Sequence, residues 1–280
     1  MLTYAQWLVG ISVFFFVAER LFPWRRQQKI FREGIASDLF YLIFNGHWLG
    51  ALLSAPWAYG WVKERFDAVL GAIPAPGSAP SLRELFYWEA LAAWPLWGQF
   101  LVIFFIKDFL EWGIHNLLHR STRLWEFHKA HHSIHELDWM GVMRFHWMEK
   151  IVYDGLKYLI LVPLGVAPQV LLWLAIFGTF WGFYTHANLR ISLGPLRYVF
   201  NSPQMHIWHH AKNDPATPFL CNFGINLSIW DYLFRTAYQP ADREAPNAVG
   251  FDGDENYPRD AIRQELWPLS RFLHRRGKKK

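Results

Sequence analysis

Apolar residues dominate from Tyr4 to Phe22 ("YAQWLVGISVFFFVAERLF"), close to the roughly 20 residues that a helix needs to cross a bilayer. The stretch lacks the positive start and small-residue end of a cleaved signal peptide, so it reads as a retained anchor. Arg25, Arg26, Lys29 and Arg32 follow at once and put that end on the cytoplasmic side. A second run, Asp38–Val62, leads back out and carries His47 as a packed or interfacial side chain. Gly71–Pro80 is rich in Pro and Gly and reads as a loop. A third run, from about Trp88 to Ile114, returns the chain inside. The fourth, Ile151–Tyr184, is broken by "VPLGVAP" and predicts a helical hairpin with arms of about 13 to 17 residues, short for full crossings. After Thr185 the chain is more polar. Its "AIRQELWPLSRFL" segment reads as interfacial, and its "HRRGKKK" end suits an anionic cytoplasmic leaflet.

The pattern predicts an all-α fold: an integral membrane helical bundle with a helical cap on its cytoplasmic side. Composition agrees. Of 280 residues, 52% are hydrophobic and only 18% charged, against about a quarter in an average soluble domain. The net charge of +5 lies beside apolar runs, where it sets topology and does not point to nucleic acid. The single cysteine, Cys221, excludes an intramolecular disulfide and reads as a small buried residue. Neither a dinucleotide-binding G-x-G-x-x-G nor a phosphate-binding G-x-x-x-x-G-K-[ST] occurs, so electrons would come from a partner.

Thirteen histidines change the picture, because eleven fall between His115 and His210 and converge on the expected cytoplasmic face. His115 and His119 stand four apart, on one face of a helix. Asp108 and Glu111 lie about 20° and 40° from His115 on that face and could fix the tautomer of a metal-bound imidazole. "HKAHH" (His128, His131, His132) and "HIWHH" (His206, His209, His210) share the spacing H-x-x-H-H, which puts three imidazoles on one helical face. Ser202 and Pro203 supply an N-cap and a first helical residue for the second of these. With His186 in "YTHANL", nine imidazoles are available, enough for a dimetal site with four or five on each ion and an open position. Zinc, copper, nickel and iron all accept imidazole, so ligand type alone does not name the metal. His135 and its counterpart Asn213 read as residues just outside the ligands or as simply polar, and His146 as part of a supporting cluster with Arg144 and Glu149.

At these residues the chain resembles the membrane fatty acid hydroxylase/sterol desaturase superfamily. The resemblance runs over Lys107–Tyr238 through "DFLEWGIHNLLHR", "LWEFHKAHHS", "RFHWME", "THANL", "LGPLRYVFNSPQMHIWHH" and "LSIWDYLF". It implies a helical membrane enzyme with a di-iron centre (two iron ions, Fe2+/Fe3+) on the cytoplasmic face, using O2 as co-substrate. The implied ligands and catalytic residues are His115, His119, His128, His131, His132, His186, His206, His209 and His210. Asp108, Glu111 and Asn188 are expected just outside them, with Asp214 or Asp231 as further sources of negative charge. Two positions depart from the pattern. Arg190 stands where some members have another histidine, and Arg235 where glycine is usual before Thr236.

The expected organisation is therefore a membrane-anchoring part (1–106), a catalytic part (107–238) containing the membrane hairpin (151–184), and a polar C-terminal extension (239–280). The expected activity is hydroxylation or desaturation of a C–H bond in a fatty acyl, sterol-like or related lipid. The resemblance adds an external reductase with a small haem or iron–sulfur carrier as electron donor. Carotenoid hydroxylation or ketolation and lipid head-group hydroxylation remain open alternatives. A membrane metal transporter or storage protein would spread its ligands through the bilayer, and a zinc protease would carry H-E-x-x-H, which this sequence lacks.

Overall fold

Helix α1 (Tyr4–Leu21) begins at a capping box in which the Thr3 hydroxyl accepts from the Gln6 amide and the Gln6 side chain accepts from the Thr3 amide. The computed structural model describes residues 3–49, 64–65, 67–69, 71, 90–161, 163–212, 218 and 220–277. Leu8, Ile11 and Phe15 repeat at helical spacing on the face of α1 that is buried against Phe183, Tyr184, Ala187 and Leu189. Val9, Val13, Phe16 and Val17, on other faces, are exposed. Among the described residues α1 is the one helix long and apolar enough to cross a membrane. An apolar exterior of this kind fits a lipid surround better than water.

Glu19 lies on the inward face of α1 and accepts hydrogen bonds from the amides of Trp139 (3.0 Å) and Asn188 (2.7 Å). It ties α1 to two segments beside the histidines. Helix α2 (Ile35–Ile43) continues as a π-helical segment, Phe44–Leu49. The rest of the second apolar run, and most of the Gly71–Pro80 loop, lie outside the described residues. Helix α3 (Leu96–Arg120) starts after Pro95 and runs 25 residues, past the expected end of the third run. Its rise of ~1.5 Å per residue carries Leu96 and Arg120 about 36 Å apart.

Helix α4 (Trp125–His132) follows, then a 3-10 turn (Trp139–Met143) capped by Asp138. On either side of the expected break stand α5 (Trp147–Leu161) and α6 (Pro168–His186), of 15 and 19 residues, the second longer than the expected arm. Ile103 and Phe104 of α3 pack with Val170 and Leu174 of α6 and with Leu161 at the end of α5. Short α7 (Pro203–His209) has the Ser202 cap, accepting from Met205 N at 3.3 Å, and the leading Pro203 that the sequence predicts. Helix α8 (Ile229–Leu233) and the C-terminal α9 (Ala261–Gly277) complete the cap. Among the described residues there is no β-strand; extended segments meet only at isolated bridges such as Phe200 with Leu227.

A buried ionic cluster braces the cap. The Arg32 guanidinium donates twice to Asp138 at 2.7 Å and pairs with Asp38 at 2.6 Å, and Arg144 pairs with Asp38 from the other side. Arg144 also donates to the Gly34 carbonyl. Gly34 has φ +86°, and a Cβ there would meet Arg144 Nη2 at 2.5 Å. Only glycine suits both the backbone and the approach. Replacing Asp38 by alanine would leave Arg32 with Asp138 but the buried Arg144 guanidinium with no carboxylate among the described residues. We expect Asp38→Ala to lower stability by about 3–5 kcal/mol, read from chemical unfolding in detergent.

Candidate metal centre

Four helices end at one place. His115 and His119 stand in the final turns of α3, and His131 and His132 close α4. His186 is the last residue of α6, His209 the last of α7, and His210 its C-cap. Each of the nine imidazoles, including His128, is at least nine-tenths buried. They divide into two groups whose ligand nitrogens lie within 4.8 Å of one another: His115, His119, His128, His132 and His209 in one, His131, His186, His206 and His210 in the other. Each H-x-x-H-H box contributes to both. His132 and His210, one from each group, stack with ring centroids 4.4 Å apart.

The hydrogen-bonding pattern suits these groups to ligation. The Nδ1 atoms of His115, His209 and His186 face the carbonyls of Phe223 (2.8 Å), Cys221 (2.8 Å) and Gly182 (3.0 Å). A carbonyl only accepts, so each Nδ1 carries the proton and each Nε2 presents a lone pair. His209 Nε2 is buried with no partner in the protein. Nε2 atoms face each other at 3.1 Å (His115 with His128), 3.1 Å (His119 with His132), 3.3 Å (His131 with His186) and 3.1 Å (His186 with His206). Two nitrogens bound to one cation at about 2.0–2.1 Å stand ~3.0–3.4 Å apart. Burial, which disfavours the imidazolium, pushes His115 down to about 4 and His186 to about 3, and holds the other seven well below the ordinary histidine range. Nine neutral imidazoles, four of them held by a partner on Nδ1 so that Nε2 presents a lone pair, fit a pair of divalent cations.

The histidines lie in a stretch that matches known proteins. The fatty acid hydroxylase family model matches residues 100–236, which hold all nine histidines. The chain is a member of the fatty acid hydroxylase/sterol desaturase superfamily. It is 34% identical to the ornithine lipid hydroxylase OlsE of Rhizobium tropici over 160 residues, 57% of this chain and 47% of that protein. It is 28% identical to the alkylglycerol monooxygenase of Xenopus tropicalis over 143 residues, 51% of this chain and 30% of the relative. Against the alkylglycerol monooxygenase of Caenorhabditis elegans the identity is 27% over 165 residues, 57% of this chain and 30% of the relative. The chain thus spans less than half the length of these relatives. No solved structure matches it.

The surroundings of the histidines correct several expectations. Asp108 is fully buried but touches no imidazole: it accepts from Asn226 N (3.0 Å), Asn226 Nδ2 (2.7 Å), Leu227 N and Trp230 Nε1. Those donors outcompete a histidine because they include backbone amides that burial would otherwise orphan. Glu111 pairs with Lys107 at 2.7 Å, one turn back along α3. Asn188 accepts from Arg25 N and donates to Arg25 O, fixing the segment after α1. Arg190 points outward to Glu244. His135 meets Asp254 with half its side chain exposed, and His146 meets the Glu265 carbonyl at 2.8 Å. Both stand apart from the two groups. The His47 side chain, Asn213 and Asp214 lie outside the described residues.

The carboxylate that does back a histidine is Glu149, accepting from His128 Nδ1 at 2.7 Å. The sequence flagged it, but beside His146. The other backing comes from a loop that no motif announces. Asn222 takes φ +55° and holds the carbonyls of Met205 and Tyr238. Asp231 accepts from Phe223 N (2.9 Å), Gly224 N (2.7 Å), Trp112 Nε1 (3.1 Å) and Thr236 Oγ1 (2.6 Å). A Cβ at Gly224 would lie 2.3 Å from the Leu227 carbonyl oxygen, so this turn needs glycine. Between these pins, Cys221 and Phe223 aim their carbonyls at His209 and His115. Arg235 keeps the turn that glycine usually makes, at φ +60°. Asp231→Ala should therefore weaken metal binding by about 10–100-fold, whereas Asp108→Asn should lower stability and leave metal content unchanged. Elemental analysis and thermal unfolding of the two variants separate these effects.

Proposed function

We propose that this chain is a membrane-bound, O2-dependent lipid hydroxylase whose nine histidines hold two iron ions on the cytoplasmic side of the bilayer. The observation that carries the reading is the division of nine buried, neutral imidazoles into two closed groups at the meeting point of four helices. The named relatives, which act on an ornithine lipid and on alkylglycerols by their names, support a lipid substrate. Iron in such a site supplies the redox chemistry that activates O2 for attack on an unactivated C–H bond. The overall change balances as R–H + O2 + 2 e− + 2 H+ → R–OH + H2O. The two electrons come from a separate reductase through a small haem or iron–sulfur carrier.

The chain's own residues do the rest. The Phe223, Cys221 and Gly182 carbonyls and the Glu149 carboxylate hold four imidazoles in one tautomer, so no ring turns over to present the wrong nitrogen. Phe104 and Phe177 stack edge to face between α3 and α6, and Trp181 lies over Phe177 and Phe200. These rings fill the seam between α3 and α6 with apolar surface. The exposed apolar rows on α1 and on α3 (Leu101, Phe105, Phe109) support a lipid surround.

The test uses cells grown under 18O2 with and without the chain. The expected outcome is a lipid heavier by one 18O atom in cells carrying the wild-type chain, lost in His209→Ala and in His131→Ala although both variants still reach the membrane. Unchanged oxidation in either variant would overturn the assignment.

A further inference from the structure

The two histidine groups differ in more than number. In the five-imidazole group, three rings are anchored from behind: His115 by the Phe223 carbonyl, His209 by the Cys221 carbonyl and His128 by Glu149. In the four-imidazole group only His186 is anchored, by the Gly182 carbonyl at 3.0 Å. The Nδ1 atoms of His131, His206 and His210 are all buried and have no partner. The residues that could have added a fifth donor are committed elsewhere, Asn188 to Arg25 and Arg190 to Glu244.

A hydrogen-bond partner on the far nitrogen fixes the ring and raises its basicity, and losing one costs about 10–100-fold in metal affinity. The five-imidazole group has the advantage in ligand count and in anchoring. The anchors are themselves immobile: Cys221 and Phe223 sit on the loop pinned by Asn222 and Asp231, and Glu149 is buried in the first turn of α5. The other group has a single anchor, a carbonyl of the helix that ends in His186 itself.

We propose that the five-imidazole group is the tight metal site and fills first, and that the four-imidazole group is the labile one. Under metal limitation the chain is then a folded one-metal protein, and activity follows occupancy of His131, His186, His206 and His210. This rests on the metal-centre reading above. Its consequence is that catalysis responds to metal supply through one half of the centre only.

The test is addition of cobalt(II) to the metal-stripped full chain in detergent, with bound metal counted at each free concentration. Two steps at least 10-fold apart are expected. Repulsion between two dications would split the steps whichever site filled first, so the sites are assigned by variants and by protection. His186→Ala should abolish the weaker step and leave the tighter one within about threefold, while Glu149→Ala should weaken the tighter step 10–100-fold. In the wild-type one-cobalt protein, diethylpyrocarbonate should modify His131, His186, His206 and His210 ahead of the other five. Loss of the tighter step in His186→Ala, a Glu149→Ala titration like wild type, or the opposite protection pattern would overturn the order. Failure of the wild-type chain to bind any cobalt would overturn the metal centre itself, an outcome distinct from a wrong order.

Discussion

Lone pairs that face one another in a dry interior repel, and the fold gathers nine imidazoles into this position. His115 and His128, with the Phe223 carbonyl and Glu149 holding their protons on Nδ1, face each other through Nε2 at 3.1 Å, so no hydrogen bond joins those two nitrogens. An unsatisfied buried polar group costs about 1–3 kcal/mol. A cation between such nitrogens turns that repulsion into bonding. The histidine groups therefore make sense as ligand sets, and the surrounding architecture is organised to keep them in place.

The charge of two dications, if the site holds them as proposed, would also need an answer, since the imidazoles are neutral. The expected one was a pair of carboxylates on α3, but Asp108 and Glu111 are engaged elsewhere. The compensation comes from backbone. Helices α3, α4, α6 and α7 all present their C-terminal turns to the site. The C-terminus of a helix carries roughly half a negative charge and stabilises a nearby cation by about 0.3–1 kcal/mol. Four such ends, three carbonyls and Glu149 replace the missing carboxylates. The Arg32–Asp38–Asp138–Arg144 cluster and Glu19 then fix the segments from which the helices start or turn.

Much of this was legible in the chain. Helical spacing identified His115 with His119 and the two H-x-x-H-H boxes, and Ser202–Pro203 marked the start of α7. The break at "VPLGVAP" separated α5 from α6. What the spacing could not give is which imidazole joins which group, because that depends on how α4 and α7 cross, and each box is divided between the two. Nor could it find the acceptors behind the rings. Carbonyls of Cys221, Phe223 and Gly182 belong to every residue alike, so no residue type signals them. Asp108 misled because an acidic residue on the histidine face of a helix is equally suited to holding a loop, and Asn226, Leu227 and Trp230 offered four donors to satisfy it.

The family resemblance and the geometry meet at the same nine residues, while the lipid and the redox partner belong to the proposal. The central claim concerns metal, and metal content tests it directly. The full chain, purified gently in detergent from iron-replete cells, should carry about two irons per polypeptide by elemental analysis. A chain that holds no metal after such purification and after anaerobic reloading with ferrous iron would contradict the account.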